Sequence, residues 1–198
     1  MTHRFVLATA NPDKAEEVAA ILSEAIPGLE LSARPGSIED VEETGDTLED
    51  NARLKALAIV EATGQVAIAD DTGLEVDALG GAPGVYSSRY AGENASYADN
   101  VAKLLAALEG TPKSARTARF RTVALARFPD GSEIVTDGVV AGTIAENSRG
   151  DRGFGYDPVF EPDGGNGKTF AELLPAEKHA LSHRGRAFRA LAQALKEA

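Results

Sequence analysis

The chain has 198 residues, of which 43% are apolar, and this is enough for one sizeable hydrophobic core, so we expect a single domain over residues 1–198. Its 20 basic and 31 acidic residues give a net charge of −11, which disfavours a nucleic-acid partner because a phosphate backbone requires a broad basic surface. The absence of cysteine excludes disulfides and a thiol nucleophile, and the apolar run at residues 5–10 is too short to span a bilayer, so we expect a cytoplasmic protein with no membrane partner.

The first predicted elements are a buried strand and a helix joined by a tight polar turn. The strand covers residues 4–9, and Asn11 and Pro12 supply a helix N-cap followed by a proline at the first helical position. The apolar positions of this helix share one face: Val18, Ile21, Leu22 and Ala25. Such a turn directs backbone N–H groups and the positive end of a helix towards an anion.

A second strand and a second helix follow. Residues 29–33 form an extended piece, and Thr47 opens a capping box for a helix that ends before Gly64. Residues 66–69 then predict another strand, with Asp70 and Asp71 directly after its end. The end of a strand is a common place for chemistry in α/β folds.

The second half of the chain alternates loops, one helix and a hairpin. Five residues between 79 and 94 are glycine or proline, which indicates a loop or lid, and residues 101–108 then predict a third helix with Gly110 and Pro112 as stop signals. Residues 117–128 and 132–144 flank a Pro-Asp-Gly turn and predict an antiparallel hairpin, so the sheet is mixed.

Two short predictions complete the chain. Residues 158–160 form a short strand after a glycine-rich turn, and the apolar stripe at residues 188–195 marks the final helix, with Ser182 as its expected cap.

Thr9, Asn11 and Lys14 are the first candidates for chemistry. A hydroxyl, an amide and an ammonium group surround a helix N-terminus and could hold phosphate oxygens. The alternative is simple capping by Asn11, with Lys14 as a solvated surface residue. The segment is not a Walker A loop, because the glycines and the Lys-Ser/Thr pair are missing.

An acidic set formed by Glu42, Glu43, Asp70 and Asp71 is the second candidate. Carboxylates are the hard oxygen ligands that magnesium takes together with water and substrate phosphates, and one of them could orient an attacking water. The glutamates could instead belong to a solvated acidic loop. Two aspartates directly after an apolar strand favour function, because buried carboxylates are costly unless a cation lies nearby.

The third candidate is the segment Gly153–Asp157. Its glycines allow a close approach of the backbone, and its aromatic rings offer a stacking face for a base. The alternative is a turn with an aromatic residue anchored in the core. The order of the glycines does not match a dinucleotide-binding fingerprint.

The fourth candidate combines Lys178 with the Ser-His-Arg-Gly sequence at residues 182–185. Histidine and arginine can donate hydrogen bonds to the carbonyl oxygens of a base. His179 and His183 also have the spacing of a helical zinc pair, but Ala180 stands where a metalloprotease motif has glutamate.

Together these segments resemble the Ham1-like family of inosine/xanthosine triphosphate pyrophosphatases, and the likeness covers the whole chain. The segments that carry it are Leu7–Asn11 with Lys14, Glu42–Gly45 with Asn51, Ala52 and Lys55, Ala69–Leu74, Leu79–Gly84, Gly153–Pro158, and Glu177 and Lys178 with Ser182–Gly185. Two departures are visible, since Ala10 stands where the family often has glycine and Thr72 where serine is usual. Neither removes a required functional group.

The resemblance implies an α/β fold, with an elongated mixed β-sheet flanked by helices and two lobes around a central cleft, and it implies a homodimer. It also implies Mg²⁺ held by Glu42 and Asp71, with Asp71 as the catalytic residue. Triphosphate contacts are implied for Thr9, Ala10, Asn11, Pro12, Asp13 and Lys14, and Lys55 would offset further charge. Purine contacts are implied for Thr72, Phe154, Gly155, Tyr156, Asp157, Lys178, His183 and Arg184.

We therefore expect an Mg²⁺-dependent enzyme that hydrolyses ITP, dITP and XTP to a monophosphate and pyrophosphate and so cleanses the nucleotide pool. A Maf-like pyrophosphatase acting on modified pyrimidines or other nucleotides is the main enzymatic alternative, and residues 154–157 and 182–184 disfavour it. A non-catalytic nucleotide sensor is the other alternative, and Glu42, Asp70 and Asp71 disfavour that one, because a sensor needs no group that activates water.

Overall fold

The structure is a computed structural model, and it describes residues 4–197. Its helices are α1 (Pro12–Ala25), α2 (Leu48–Thr63), α3 (Tyr97–Ala107), α4 (Pro175–Leu181) and α5 (His183–Glu197). Its strands are β1 (Arg4–Leu7), β2 (Glu30–Ser32), β3 (Val66–Val76), β4 (Pro83–Gly84), β5 (Thr117–Arg127), β6 (Glu133–Ile144) and β7 (Phe160–Pro162). No helix within the described residues is long and apolar enough to cross a membrane.

The strands form one mixed sheet, as predicted. Its order is β2-β1-β3-β5-β6-β7, and β4 pairs with β3. Strand β1 runs parallel to both β2 and β3, whereas β4 is antiparallel to β3 and β7 is antiparallel to β6. The hairpin between β5 and β6 is also confirmed, and the Phe128 N–H closes its turn by donating to the Ser132 carbonyl.

The chain divides into two compact units, and the prediction of one domain over residues 1–198 stays a prediction. Among the described residues, the first unit contains 4–71, 122–138 and 184–197, and the second contains 72–121 and 139–183. Each unit has its own apolar core. The first core includes Val18, Leu22, Ile68, Phe188 and Leu191. The second includes Leu104, Leu108, Phe120, Phe160 and Phe170.

The helix starts predicted at Asn11 and Thr47 are confirmed by their caps. The Asn11 side-chain oxygen accepts from the backbone N–H groups of Asp13 and Lys14, at 2.9 and 3.1 Å. The Thr47 hydroxyl accepts from the Asp50 N–H and donates to the Asp50 carboxylate. These contacts satisfy N–H groups that the first turn of a helix leaves without intrahelical partners.

The predicted end of the third strand is wrong. We expected the strand over residues 66–69 with the aspartates beyond it, but β3 continues through Asp70 and Asp71 to Val76. Aspartate is depleted in strands. Here pairing with β4 extends the strand, and cationic side chains from distant segments compensate the buried carboxylates.

The remaining predictions differ from the structure only at their edges. The segment at 79–94 contains β4 and short 3₁₀ turns, which agrees with the predicted loop. The short strand expected at 158–160 lies at 160–162. Ser182 is the extended residue between α4 and α5, at the predicted start of the final helix.

Candidate active site

Asp71 lies inside the first unit with only 4% of its surface exposed. Lys55 of α2 donates from Nζ to the Asp71 Oδ1 at 2.9 Å and to the Glu43 Oε1 at 3.0 Å. One lysine therefore serves two carboxylates. The structure brings Glu43 to this cluster, whereas the predicted metal ligand Glu42 is exposed, so its assignment stays a prediction.

Burial dominates the protonation of this cluster. Desolvation raises the pKa of Asp71 above the usual aspartate value, and Lys55 and Lys14 oppose that rise only in part, while Glu43 adds to it. Burial also acts to lower the pKa of Lys55, but three surrounding carboxylates outweigh it, and the Lys55 pKa is raised. An ion pair alone would raise the lysine pKa and lower the aspartate pKa; the Asp71 pKa rises instead because burial and the neighbouring Glu43 outweigh the two lysines. Asp71 is thus a carboxylate with raised basicity.

Asp70 has the opposite character. Successive strand residues point to opposite faces, and Asp70 meets cations from α1 and α5. Lys14 Nζ lies 3.3 Å from the Asp70 Oδ2, and Arg184 Nε lies 3.7 Å from the same oxygen. Burial alone would raise the Asp70 pKa, but Lys14 and Arg184 lower it to about 2. Asp70 therefore stays ionised and holds the two cations.

The turn before α1 is organised as a helix cap. The Asn11 N–H donates to the Thr9 hydroxyl at 3.1 Å, while the Asn11 oxygen occupies the N–H groups of Asp13 and Lys14. The capping alternative is therefore observed. Any phosphate at this turn would have to be met chiefly by side-chain groups, such as the Lys14 ammonium, rather than by those two backbone N–H groups.

Arg184 is engaged within the first unit. Its Nη1 donates to the Glu17 Oε2 at 2.6 Å, and its side chain is nearly inaccessible to solvent. Together with its approach to Asp70, this contact fixes Arg184 between two carboxylates. The purine contact predicted for Arg184 stays a prediction.

A second ionic cluster lies inside the second unit and includes two predicted purine contacts. Lys178 Nζ donates to the Asp157 Oδ2 at 2.6 Å, and both side chains are buried. The same Oδ2 accepts from the Phe154 N–H at 2.9 Å. Gly153 has a φ of +70°, and a Cβ atom there would meet Asp157 Oδ2 at 2.0 Å, so only glycine fits.

The ring of Phe154 has neighbours within the second unit but retains some exposure. Lys178 Nζ lies 4.9 Å from the Phe154 ring centroid, and the Tyr97 ring centroid lies 5.8 Å away. An open pocket of about 470 Å³ is lined by Tyr97, Val101 and Leu105 of α3 and by residues 150–155. Phe154 therefore lines an open pocket next to Tyr97.

Tyr156 and His183 belong to the interior of the second unit. The Tyr156 hydroxyl donates to the Ser87 carbonyl at 2.9 Å, and burial raises the pKa of this phenol. His183 stacks on Phe120 with ring centroids 4.4 Å apart and an interplanar angle of 15°. For Tyr156, the structure shows the core-anchoring alternative considered above. Within residues 4–197, no group of three or more His, Cys, Asp or Glu side chains is arranged as a metal site, and the zinc alternative for His179 and His183 stays a prediction.

Asn51 is a residue of these clusters to which no sequence pattern assigns a role. It is fully buried beside Asp71. It follows directly after the capping box that opens α2 and belongs to a segment that carries the family resemblance. Neither signal states which distant carboxylate the side chain will meet.

Similarity to known proteins extends over nearly the whole chain. The model of the Ham1 family matches residues 5–194. A protein of Yersinia pseudotuberculosis serotype I (strain IP32953), named dITP/XTP pyrophosphatase, is 48% identical over 198 residues, which cover 98% of this chain and 99% of its own. A protein of the same name from Chlorobaculum tepidum is 50% identical over 212 residues, and the match covers 98% of this chain and 92% of that protein.

The fold has a solved counterpart as well. The structure of a HAM1 protein from Coxiella burnetii matches with a TM-score of 0.87 at 42% identity, and the match covers 99% of this chain and 100% of the other. This likeness confirms the predicted mixed α/β class.

Proposed function

The chain belongs to the Ham1 family, and from this premise we propose that it hydrolyses non-standard purine nucleoside triphosphates, such as dITP, ITP and XTP, to the monophosphate and pyrophosphate. The observation that carries the proposal is Asp71, a buried carboxylate of raised basicity held by a lysine, in a chain whose relatives are named for this reaction. Residues 1–198 would act as one catalytic domain.

Asp71 would act on the attacking water. A general base works best when its pKa lies close to the working pH, and burial moves the Asp71 pKa in that direction. The water oxygen forms a bond to the α-phosphorus, the bond from that phosphorus to the pyrophosphate oxygen breaks, and the water proton passes to the Asp71 carboxylate. Lys55 would hold the Oδ1 of that carboxylate in a fixed direction.

The phosphate charge would be met by side chains of the first unit. Lys14 and Lys55 supply ammonium groups next to Asp70 and Asp71, and the turn at residues 9–14 supplies the hydroxyl of Thr9 and the positive end of α1. A protein of net charge −11 repels a tetra-anionic substrate at long range. Locally placed cations would offset that repulsion.

Magnesium fits the donor chemistry of the acidic cluster. Mg²⁺ in nucleotide sites is bound through one or two carboxylates and keeps water and phosphate oxygens as its other ligands. Asp71 and Glu42 would hold it, with Glu43 as an alternative because its carboxylate shares Lys55 with Asp71. A bound magnesium ion would neutralise charge on the phosphate oxygens.

Base recognition would use the purine contacts that the family resemblance implies, Arg184 among them. Phe154 offers a stacking face beside Lys178, and stacking stabilises a bound base by roughly 1–3 kcal/mol. Thr72, residues 155–157 and His183 would complete the contacts. Because the His183 ring is stacked on Phe120, a donor at this position would be fixed before the substrate arrives.

Discrimination would depend on the 6-position of the purine. Hypoxanthine and xanthine have a keto oxygen where adenine has an amino group. Hydrogen-bond donors of the protein would therefore bind the keto oxygen and disfavour the amino group. Sites built on buried hydrogen bonds can reject a mismatched partner by roughly 10⁴-fold or more. Guanine shares the keto group, so the enzyme must exclude it through the 2-amino group.

A substrate panel tests the proposal. The purified protein is incubated with MgCl₂ and ITP, dITP, XTP, GTP, ATP or TTP, and orthophosphate and pyrophosphate are measured separately. We expect pyrophosphate from ITP, dITP and XTP alone. Orthophosphate release would contradict the proposal, turnover of pyrimidine substrates would favour a Maf-like activity, and tight binding without turnover would favour a sensor.

We propose two further properties. The protein would form a homodimer, as the family resemblance implies, and it would be cytoplasmic, as expected from the cysteine-free composition and the short apolar run at residues 5–10. Light scattering coupled to size-exclusion chromatography tests the first of these, and a mass near that of one 20.6 kDa chain would contradict it.

A further inference from the structure

Asn51 is a buried amide with both of its polar ends engaged. It lies in the first turn of α2 and has no exposed surface. Its Oδ1 accepts from the Gly45 backbone N–H at 2.8 Å, and its Nδ2 donates to the Asp71 Oδ2 at 3.4 Å. The side chain therefore joins the acidic loop that precedes α2 to the carboxylate of Asp71.

The loop approaches Asn51 closely because residue 45 is glycine. A Cβ atom at Gly45 would lie 2.7 Å from the Asn51 Oδ1 and 2.6 Å from the Asp50 Cβ. Cβ atoms essentially never make contacts this short, so any larger residue would displace the loop or the amide. Gly45 follows directly after residues 42–44, so the same contact also holds the end of the segment that carries the two glutamates.

The two oxygens of Asp71 meet different partners. Lys55 binds Oδ1 with a positive charge, and Asn51 contacts Oδ2 with a neutral amide. A single partner would leave the carboxylate free to rotate about its Cβ–Cγ bond. Two partners on opposite oxygens define the plane of the carboxylate, and the neutral one does so without adding to the charge that lowers its basicity.

We propose that Asn51 is a positioning residue for the hydrolysis, fixing the carboxylate plane of Asp71 relative to the acidic loop. The inference rests on the proposed function for its catalytic meaning, but the contact itself is a separate claim. General-base catalysis depends on hydrogen-bond geometry to the attacking water, and supporting contacts of this kind commonly change activity by roughly 10–100-fold.

Asn100 of α3 provides a matched control within the same chain. It is also buried, with 2% of its surface exposed. Its Oδ1 accepts from the Ala91 backbone N–H at 2.7 Å, and its Nδ2 donates to the Ser88 carbonyl at 3.0 Å. Both asparagines thus join a helix to a preceding loop, but only Asn51 donates to a carboxylate.

The first experiment compares N51D with N100D. Each substitution keeps the oxygen that accepts from the loop and removes the amide donor. We expect both variants to unfold at lower temperature than the wild type, but only N51D to lower kcat for dITP, by about tenfold or more, while KM changes by less than about threefold. Equal kcat values for the folded N51D protein and the wild type would overturn the proposal.

N51D also places a second carboxylate beside Asp71, so a second variant separates position from charge. G45A keeps the amide and every charge but pushes on the Asn51 oxygen. We expect it to lower kcat with little change in KM as well. An unchanged kcat in folded G45A would show that the position of this amide does not matter for catalysis.

A third measurement does not depend on those variants folding or on any turnover. The side-chain amide resonances of Asn51 and Asn100 are followed in ¹⁵N-labelled wild type and in D71N, whose substituted residue is isosteric with aspartate. We expect the Asn51 signals to move and those of Asn100 to stay. Unmoved Asn51 signals would overturn the contact, whereas a wild type that leaves dITP intact would instead overturn the proposed function.

Discussion

Two buried ionic clusters, one in each unit, differ in how their carboxylates are contacted. In the second unit, the Asp157 Oδ2 accepts from Lys178 Nζ at 2.6 Å and from the Phe154 N–H, and a Cβ atom at Gly153 would meet the same oxygen. In the first unit, the ammonium group of Lys55 is shared between Asp71 and Glu43. One oxygen with two donors thus contrasts with one donor between two carboxylates.

Under the proposed function, this difference places water activation at the Asp71 cluster and support of the base-binding loop at the Asp157 cluster. Incomplete compensation leaves burial as the dominant influence on Asp71, and its pKa is raised. A proton or a cation stabilises such a buried carboxylate. Activation of a water molecule would supply the proton, and metal binding would supply the cation. The Asp157 cluster instead fixes the loop that carries the Phe154 ring.

Replacing Asp71 should produce the largest effect. We expect D71N to lower kcat for dITP by about a thousandfold or more, equivalent to about 4 kcal/mol, with a much smaller change in KM, because the interaction is needed mainly in the transition state. Steady-state kinetics of D71N and D70N measure this. The adjacent D70N is the matched comparison and should lose much less in kcat. Near-normal turnover by D71N would remove Asp71 from its catalytic role.

Replacing Lys178 in the Asp157 cluster should lower the stability of the fold. We expect K178M to lower the free energy of unfolding by about 3 kcal/mol, because it leaves the Asp157 carboxylate buried without its cation. Urea unfolding measures the change. The double variant D157N/K178M should recover part of the loss, because no unpaired charge remains. A double variant less stable than K178M would show that the carboxylate itself was not the source of the loss.

The aromatic face near that cluster should affect binding of every purine alike. We expect F154A to weaken binding of dITP and XTP equally, by roughly 1–3 kcal/mol, since stacking does not distinguish the groups on the base edge. Kinetics with both substrates test this, and F128A, a change at an aromatic residue outside the second unit, serves as the comparison. A loss confined to one substrate would mean that Phe154 contributes by another route.

Asp70, the aspartate with the lowered pKa, should make the stability of the protein depend on pH. Its pKa falls from 3.8 to about 2 on folding. The stability it contributes is therefore present above about pH 4 and is lost as the pH falls towards 2, with a total of about 2 kcal/mol. Urea unfolding of wild type and D70N at about pH 6 and pH 3 should give a stability difference that shrinks in acid. A difference independent of pH would contradict the lowered pKa.

Local chemistry explains which parts of the fold could be predicted. Asn11 with Pro12, Thr47 with Asp50, and the Pro-Asp-Gly turn act within a few residues of themselves, so their patterns gave helix starts and a hairpin that the structure contains. The end of β3 was missed, because the preference of aspartate against strands was overridden by partners from other segments.

The sequence motifs indicated the candidate residues of the site, but they did not indicate which side chains would contact one another. Asp71 was identified from its place beside an apolar run, but nothing in the sequence states that Lys55 would bridge it to Glu43. Tyr156 lies in a glycine-rich motif typical of ligand contact, yet its hydroxyl is used in the interior. Such contacts arise between residues far apart in sequence, where periodicity and spacing carry no signal.

The position of water attack tests the central claim most directly. The wild type hydrolyses dITP in water enriched in oxygen-18, and the masses of both products are measured after a single turnover. If Asp71 directs water to the α-phosphorus, the label will appear in the deoxyinosine monophosphate and none will appear in the pyrophosphate. Label in the pyrophosphate would mean attack at the β-phosphorus and would contradict this account.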